Sequence, residues 1–393
     1  MSLLLEQVDE YESEIIKIRR KIHSNPELAY AESETAQLVA NRLRALGVKT
    51  LTGVGGTGVL GVLKGSRAGK VVGLRADMDA LPVEEMVDVP FKSKNKGIMH
   101  ACGHDAHVAM LLGAAMLLTK NRNQLSGTVK FFFQPAEEDG ARGGAKPMIE
   151  AGVMTNPTVN YVFGLHIVPN FPSKTFASRE GPLMAAPDVF EIKIHGKGGH
   201  GSAPNLTVDP IYVAAQVINA LQAISSRMLD QIQPFVLSVC NLHSGSSHNI
   251  IPNDATLEGT IRTLDQKIRI KAKKDIIQIC KMISKTCGAQ CEVRFKPDTY
   301  PVTVNNQKVT ERVAKSLKEI QGTHTVRCDP VLASEDFSRF LQKAPGTFYF
   351  LGTGNPRKQC IYPNHSPQFQ VDEDVLKYGS VSLAKLAMEF AAK

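Results

Sequence analysis

The sequence lacks the features that would place this protein in a membrane, in the secretory pathway or on nucleic acid. Its longest uninterrupted apolar run, Val108–Leu118, has eleven residues, whereas a bilayer-spanning helix needs about 20. The N-terminal segment Met1–Glu10 has no basic stretch followed by an apolar one, so it does not have the pattern of a signal peptide. The 46 basic residues exceed the 38 acidic ones by a formal charge of +8 and form no dense run. A soluble protein that attracts small anionic substrates is therefore predicted, without membrane or nucleic-acid partners.

Cysteine is present but does not form a disulfide framework. Seven cysteines, an odd number, are scattered through 393 residues, which is typical of a chain kept in the reducing cytoplasm. The chain is too long for one ordinary hydrophobic core, so two domains are expected. No repeat of fixed period is visible, which disfavours solenoids and propellers.

Short apolar strands alternate with helices over most of the chain. After two helical segments, strands are predicted near 59–63, 70–75, 127–133 and 159–165, and a buried helix over Val108–Leu118 with Asp105 as its cap. This alternation indicates an α/β fold with a mainly parallel sheet, whose ligands gather at the carboxyl ends of the strands.

The middle of the chain has a different organisation. Residues 183–296 have the order β-α-β-β-α-β, a compact unit with its own sheet. We therefore predict an inserted α+β domain at 183–296 and a discontinuous α/β domain made of residues 1–182 and 297–393.

The segment from Ile98 to His107 contains three histidines, one cysteine and one aspartate. Cys102 and His104 are two residues apart, so in an extended or looped chain they share a side and suit one metal ion. A thiolate together with an imidazole favours zinc. His100 and His107 are interpreted as supporting residues, with direct coordination as the alternative. Cys102 has two other interpretations, as a buried apolar residue or as a catalytic nucleophile paired with histidine.

Three of the predicted strands end in polar residues. Asp79 follows one strand and either orients a ligand histidine or forms a solvated turn. Glu137 and Glu138 follow the next, and His166 ends a third. Adjacent side chains point in different directions, so one glutamate can bind metal while the other handles protons. The alternative for this pair is two solvated surface acids.

Further candidates lie downstream. His200 stands among glycines, where it is better suited to reach into a site than to fill a core. Arg262 ends a predicted strand and is suited to bind a carboxylate, with a surface salt bridge as the alternative. His365 lies between two prolines in a short loop, in the position of a further ligand.

Eight motifs, in this order, resemble the amidohydrolase branch of the aminoacylase-like metallopeptidases, which includes hippurate hydrolases, auxin-conjugate hydrolases and a thermostable carboxypeptidase. They are Asp77-Met-Asp-Ala-Leu-Pro82, His100-Ala-Cys-Gly-His-Asp105, Gln134-Pro-Ala-Glu-Glu138, Gly164-Leu-His166, Gly198-Gly-His-Gly-Ser202, Asn249-Ile-Ile-Pro252, Ser334-Glu-Asp-Phe337 and Asn364-His-Ser-Pro367. The resemblance covers nearly the whole chain. It implies a zinc-exopeptidase-like catalytic domain with an inserted lid that also dimerises, and hence a homo-oligomer.

The same resemblance implies a role for each matched residue. The implied metal ligands are Cys102, His104, Glu138, His166 and His365. They would bind one or two zinc ions, with cobalt or manganese as other metals. Glu137 would be the free base, His200 would stabilise the oxyanion, and Asn249 and Arg262 would contact the substrate carboxylate.

These residues predict a zinc-dependent hydrolase that cleaves N-acyl amino acids and C-terminal peptide bonds. Two other hypotheses remain at this point. A thiol hydrolase would use Cys102 as its nucleophile and would survive chelation. A non-enzymatic metal-binding protein would bind zinc without turnover, although it would have no need for a second glutamate beside a ligand glutamate.

Overall fold

Ten α-helices and sixteen β-strands form within residues 2–140 and 142–392, the part of the chain that this computed structural model describes. The helices are α1 (Ser2–Asp9), α2 (Glu12–His23), α3 (Ser33–Ala45), α4 (His104–Lys120), α5 (Ala145–Glu150), α6 (Pro210–Ala223), α7 (Gln266–Thr286), α8 (Gln307–Lys318), α9 (Ser338–Leu341) and α10 (Leu376–Ala391). The strands are β1 (Lys49–Thr52), β2 (Val59–Lys64), β3 (Arg67–Asp77), β4 (Ser126–Gln134), β5 (Tyr161–Pro172), β6 (Thr175–Ser178), β7 (Gly181–Met184), β8 (Ala186–His195), β9 (Gly199–His200), β10 (Phe235–His243), β11 (Ile250–Ile251), β12 (Asp254–Thr263), β13 (Gln290–Phe295), β14 (Thr303–Asn305), β15 (His324–Arg327) and β16 (Gly346–Gly354).

The chain divides into two compact units. The larger consists of Met1–Leu183, Thr303–Asp329 and Asp336–Lys393, and the smaller of Met184–Val302 and Pro330–Glu335. The functional assignment of the two parts, as a catalytic domain and a lid or dimerisation domain, stays a prediction.

The larger unit contains an eight-stranded sheet in the order β1-β2-β4-β3-β5-β16-β6-β15. Strand β3 pairs in parallel with β4 and β5, and β5 pairs in parallel with β16. Antiparallel pairs occur between β1 and β2, β2 and β4, and β6 and β16. The predicted α/β class with a mainly parallel sheet is confirmed. In the register of β3 with β4, Asp77 lies opposite Gln134, so both strands deliver their following residues to one edge.

Helix α4 lies at the centre of the larger unit. Its residues are buried from His104 to Leu118, and it packs against α2 and α10 as well as β3. A helix that is apolar on every side must be covered on every side. Because α4 starts at His104, this buried helix fixes the position of the segment that the sequence singles out as metal-binding.

The smaller unit contains a four-stranded antiparallel sheet in the order β10-β12-β8-β13. Helices α6 and α7 pack against each other and on this sheet. Leaving aside the two-residue strands β9 and β11, the order along the chain is β8-α6-β10-β12-α7-β13, as predicted.

Several local predictions were wrong. Asp105 does not cap α4: the capping position is Gly103, and Asp105 lies inside the first turn, where its carboxylate binds Arg19 and His23. His166 lies within β5 rather than at its end, because the strand continues to Pro172. Across the described residues, no helix combines the length and apolarity needed to span a membrane.

Candidate metal centre

A left-handed glycine places Cys102 and His104 on either side of a tight turn. Gly103 has a φ of 87°, and a Cβ atom there would lie 2.4 Å from Cδ1 of Ile167. Only glycine fits both the backbone angle and the space. Cys102 is 6% exposed and His104 is fully buried, so both side chains project into the interior at the start of α4.

His104 is oriented by a carboxylate. Its Nδ1 donates to Oδ1 of Asp79 over 3.2 Å, so in the neutral ring the lone pair that can bind a metal is on Nε2. Among the described residues, this buried Nε2 has no hydrogen-bond partner. Carboxylate–histidine pairs of this kind orient metal-binding imidazoles in many proteins. The geometry supports the predicted orienting role of Asp79 against the solvated turn, because Asp79 is buried.

His166 points towards the same place from β5. Its Nδ1 donates to the carbonyl of Ile167 over 2.7 Å, and its Nε2 lies 3.4 Å from Sγ of Cys102. The backbone contact fixes which ring nitrogen carries the proton. The nitrogen that faces Cys102 is therefore the one able to bind a metal.

The Glu137-Glu138 pair and the His365 loop complete the cluster. Glu137 and Glu138 begin a short 3-10 turn after β4, and Oε1 of Glu138 lies 3.0 Å from Nε2 of His365. The backbone of His365, with a φ of 71°, donates to the carbonyl of Ala101 over 2.8 Å. The distant loop is thereby attached directly to the Cys102 turn.

The five predicted ligands converge in three overlapping groups whose ligand atoms lie within 4.8 Å of one another. These groups are Cys102, His104 and His166; Cys102, Glu138 and His365; and His104, Glu137 and Glu138. A thiol, three imidazoles and a carboxylate are a donor set suited to zinc. Together with the buried Nε2 of His104 that lacks a partner, this donor set fits a bound metal.

The pKa shifts of His104 and Cys102 also indicate that the cluster favours a cation. Burial lowers the pKa of His104, but Asp77 and Asp79 outweigh it and raise that pKa to about 10. Burial raises the pKa of the Cys102 thiol, and the carboxylates of Glu138 and Glu137 raise it further. The site thus has a surplus of negative charge, which stabilises a cation and disfavours a free thiolate nucleophile.

The remaining histidines of the segment, His107 and His100, lie outside the three ligand groups. Nδ1 of His107 donates to Oδ1 of Asp77 over 2.5 Å, and its Nε2 accepts from the backbone N–H of Ile167 over 3.0 Å. Neither ring nitrogen is left to coordinate, although Asp77, His104 and His107 also lie close together. Oδ2 of Asp77 accepts from Arg75 over 2.6 Å. His100 is buried outside the three ligand groups, and burial lowers its pKa to about 3.

Two buried hydrogen-bond networks next to the site were not predicted from the sequence. Asp105 accepts from Arg19 and pairs with Nδ1 of His23, each over 2.9 Å. Asp336 accepts from Arg75 over 3.0 Å and from Gln134 over 2.8 Å. These contacts join segments that are far apart in the chain, so no local pattern predicts them.

Three predicted functional residues belong to the smaller unit. His200 is exposed on β9, and its Nδ1 accepts from the backbone N–H of Ser202 over 3.1 Å, which places its proton on Nε2. Asn249 accepts from Ser247 over 2.7 Å. Arg262 is half-buried on β12 and donates to Ser334 over 3.2 Å. The roles of all three in substrate binding or catalysis stay predictions.

Comparisons with known proteins identify the family. Residues 73–389 match the model of peptidase family M20/M25/M40. The chain is 58% identical over 391 residues to "Thermostable carboxypeptidase 2" of Saccharolobus solfataricus, covering 99% of this chain and 98% of that one. It is 39% identical to "N-acetylcysteine deacetylase" of Bacillus subtilis, covering 96% and 97% of the two chains.

The fold agrees with these relatives. The crystal structure of the Bacillus subtilis YXEP protein, described as a dinuclear metal binding peptidase from the M20 family, matches with a TM-score of 0.86 and 36% identity. The match covers 98% of this chain and 99% of that one. The resemblance drawn from the eight motifs is confirmed, and a non-enzymatic binding protein is disfavoured. The chain belongs to peptidase family M20/M25/M40 and is a metal-dependent hydrolase of amide bonds.

Proposed function

We propose that the protein hydrolyses the amide bond between an acyl or peptidyl group and a C-terminal amino acid. The observation that carries this proposal is the placement of Glu137 beside Glu138, with both carboxylates in one group with His104. One glutamate of this pair is available as a ligand and the other as a base. The similarity to a carboxypeptidase and to a deacetylase supports this substrate class.

The metal would be zinc, as one ion or two, with cobalt or manganese as alternatives. The proposed ligands are Cys102, His104, Glu138, His166 and His365. When bound, the ion supplies Lewis acidity, which polarises the scissile carbonyl and makes water more acidic.

The residues of the chain supply the proton transfers. Glu137 is 7% exposed, so its carboxylate is largely removed from bulk water. We infer that Glu137 accepts a proton from the attacking water and returns it to the leaving nitrogen. His200 would donate from Nε2 to the negative charge that develops on the carbonyl oxygen, and Asn249 and Arg262 would bind the substrate carboxylate.

The thiol-hydrolase alternative has little support. A nucleophilic cysteine needs a lowered thiol pKa and an adjacent base. Burial raises the pKa of Cys102 instead. The imidazole beside the thiol is that of His166, whose Nε2 lies 3.4 Å from Sγ, and burial lowers the pKa of His166 well below its usual value, which makes it a weak base. Cys102 is therefore better suited to coordinate a cation than to attack a carbonyl.

Two further properties belong to the proposal. All seven cysteines have free thiols, which supports a location in the reducing cytoplasm. A homo-oligomer formed through the smaller unit is expected from the resemblance to the family. The molar mass in solution gives its number of subunits.

The substrate class is tested with N-acetyl amino acids and N-blocked dipeptides, each compared with its C-terminal carboxamide. If Arg262 binds the carboxylate, we expect kcat/KM to fall at least about 100-fold for the carboxamides, because the guanidinium loses its charged partner. Arg262→Met should remove most of this preference. Equal rates on the acids and the carboxamides would contradict the proposed substrate class.

The role of Cys102 is tested by Cys102→Ala with zinc affinity as the readout. We expect the affinity to fall at least about 10- to 100-fold, the loss that even a supporting group causes. Cys328→Ala is the matched control, because Cys328 is buried in the larger unit but belongs to none of the ligand groups. A Cys102→Ala protein that binds zinc normally but has lost turnover would instead favour the thiol hydrolase.

A further inference from the structure

The backbone just before Glu137 adopts an unusual conformation. Ala136 has a φ of 52° and a ψ of 42°, in the left-handed region. A residue with a Cβ atom adopts this region at an energetic cost, and an alanine side chain offers no hydrogen bond to offset it. Contacts from elsewhere in the chain must therefore hold Ala136 in place.

Glu32 supplies such a contact from the segment before α3. Its side chain is fully buried, and its Oε1 accepts from the backbone N–H of Ala136 over 2.8 Å and from that of Tyr30 over 3.0 Å. Its Oε2 accepts from the hydroxyl of Thr57. The carboxylate thus joins three segments, and its contact with the loop after β4 is with the backbone alone.

A second carboxylate holds the other side of Glu137. Oδ2 of Asp79 accepts from the backbone N–H of Glu138 over 2.8 Å. The backbone N–H groups of Ala136 and Glu138, on either side of Glu137, therefore donate to the buried carboxylates of Glu32 and Asp79, which belong to two different segments. Glu32 is not a member of any of the metal-binding groups found among the described residues, so its influence on the site passes through the backbone.

We propose that Glu32 is a positioning residue that holds Ala136 in the left-handed conformation and so aims the Glu137 carboxylate. This inference rests on the proposed role of Glu137 as the base. It separates two carboxylates at the loop, since Asp79 also hydrogen-bonds the ligand His104, whereas Glu32 contacts the loop at the amide that precedes the base. Loss of Glu32 should consequently change kcat without removing the metal.

The test uses four variants of the full-length enzyme, with kcat, KM and bound zinc measured for each. Glu32→Gln keeps an acceptor oxygen in place, so its kcat should stay within about threefold of wild type. Glu32→Ala removes the acceptor, and Glu32→Asp moves it away from Ala136 because its side chain is shorter. In both variants kcat should fall about 10- to 100-fold, with KM and zinc content little changed. Adding Ala136→Gly to Glu32→Ala should recover at least about threefold in kcat, because glycine adopts this conformation without strain.

Thr57→Ala is the matched control, since it removes the contact at Oε2 of Glu32 but does not touch Ala136, and it should keep wild-type kcat. Glu32→Asp decides the matter if Glu32→Ala does not fold. Unchanged kcat in a folded Glu32→Asp protein, or a loss of kcat that follows a loss of zinc, would overturn the proposal. Glu137→Gln is assayed in parallel: if it keeps full activity, the proposed base is wrong, and that failure is distinct from a failure of Glu32.

Discussion

Replacing Glu137 with glutamine is expected to lower kcat by a factor of about 100 to 10,000, the usual contribution of a general acid–base residue. Glutamine has nearly the same shape as glutamate, but its amide cannot accept a proton from water. Because Glu137 is proposed as the base rather than as a ligand, the variant should retain bound metal. KM should change little, because binding of the substrate carboxylate is assigned to Asn249 and Arg262.

Two neighbouring acids serve as controls for this result. Asp139 is exposed and accepts from the backbone N–H of Arg142 within its own loop, so Asp139→Asn should have wild-type activity. Glu138→Gln should lose both metal and activity, since Glu138 pairs with His365 in the ligand cluster. A Glu137→Gln enzyme with full kcat and a full complement of metal would show that another group is the base.

The part of the site that the sequence predicted is the part with local signals. Cys102 and His104 are adjacent to one glycine, and Asp77 ends a strand whose apolar pattern is visible in the sequence. The rule that parallel strands deliver ligands to one edge then brings Glu137 into the same region. His365 had no such signal from spacing beyond its proline-rich loop, and it was identified mainly by its motif.

The sequence could not decide between equivalent side chains. Three histidines within eight residues were all candidates as ligands, and only the fold distinguishes them: His100 lies outside the ligand groups, and ring-nitrogen partners separate the other two. His107 uses both nitrogens on Asp77 and Ile167, whereas His104 uses one and keeps the other. Such partners lie up to about 60 positions away in the chain, so the fold determines them and the local sequence does not show them.

The supporting residues were missed for the same reason. Glu32 lies in a polar segment, and its nearest sequence neighbours do not suggest a buried carboxylate. Its partner amide at Ala136 is 104 positions away. The capping role expected for Asp105 was wrong because Arg19 and His23 compete for that carboxylate, and the sequence of α4 does not show this competition.

Removal of the metal should abolish turnover. All five proposed ligands and the proposed base meet in one cluster. Without the ion, the carbonyl is not polarised and water keeps its ordinary acidity, so activity should fall below about 1% of the starting value. The fold should persist, because the buried helix α4 and the eight-stranded sheet do not depend on the ligands for their packing.

The most direct test of the metal-dependent mechanism is a titration of the chelated protein with zinc, in which bound zinc and hydrolysis of an N-acetyl amino acid are measured on the same samples. We predict that turnover rises in proportion to bound zinc, with circular dichroism unchanged throughout. Full turnover by a protein shown to contain no metal would contradict the mechanism and return Cys102 to consideration as the nucleophile.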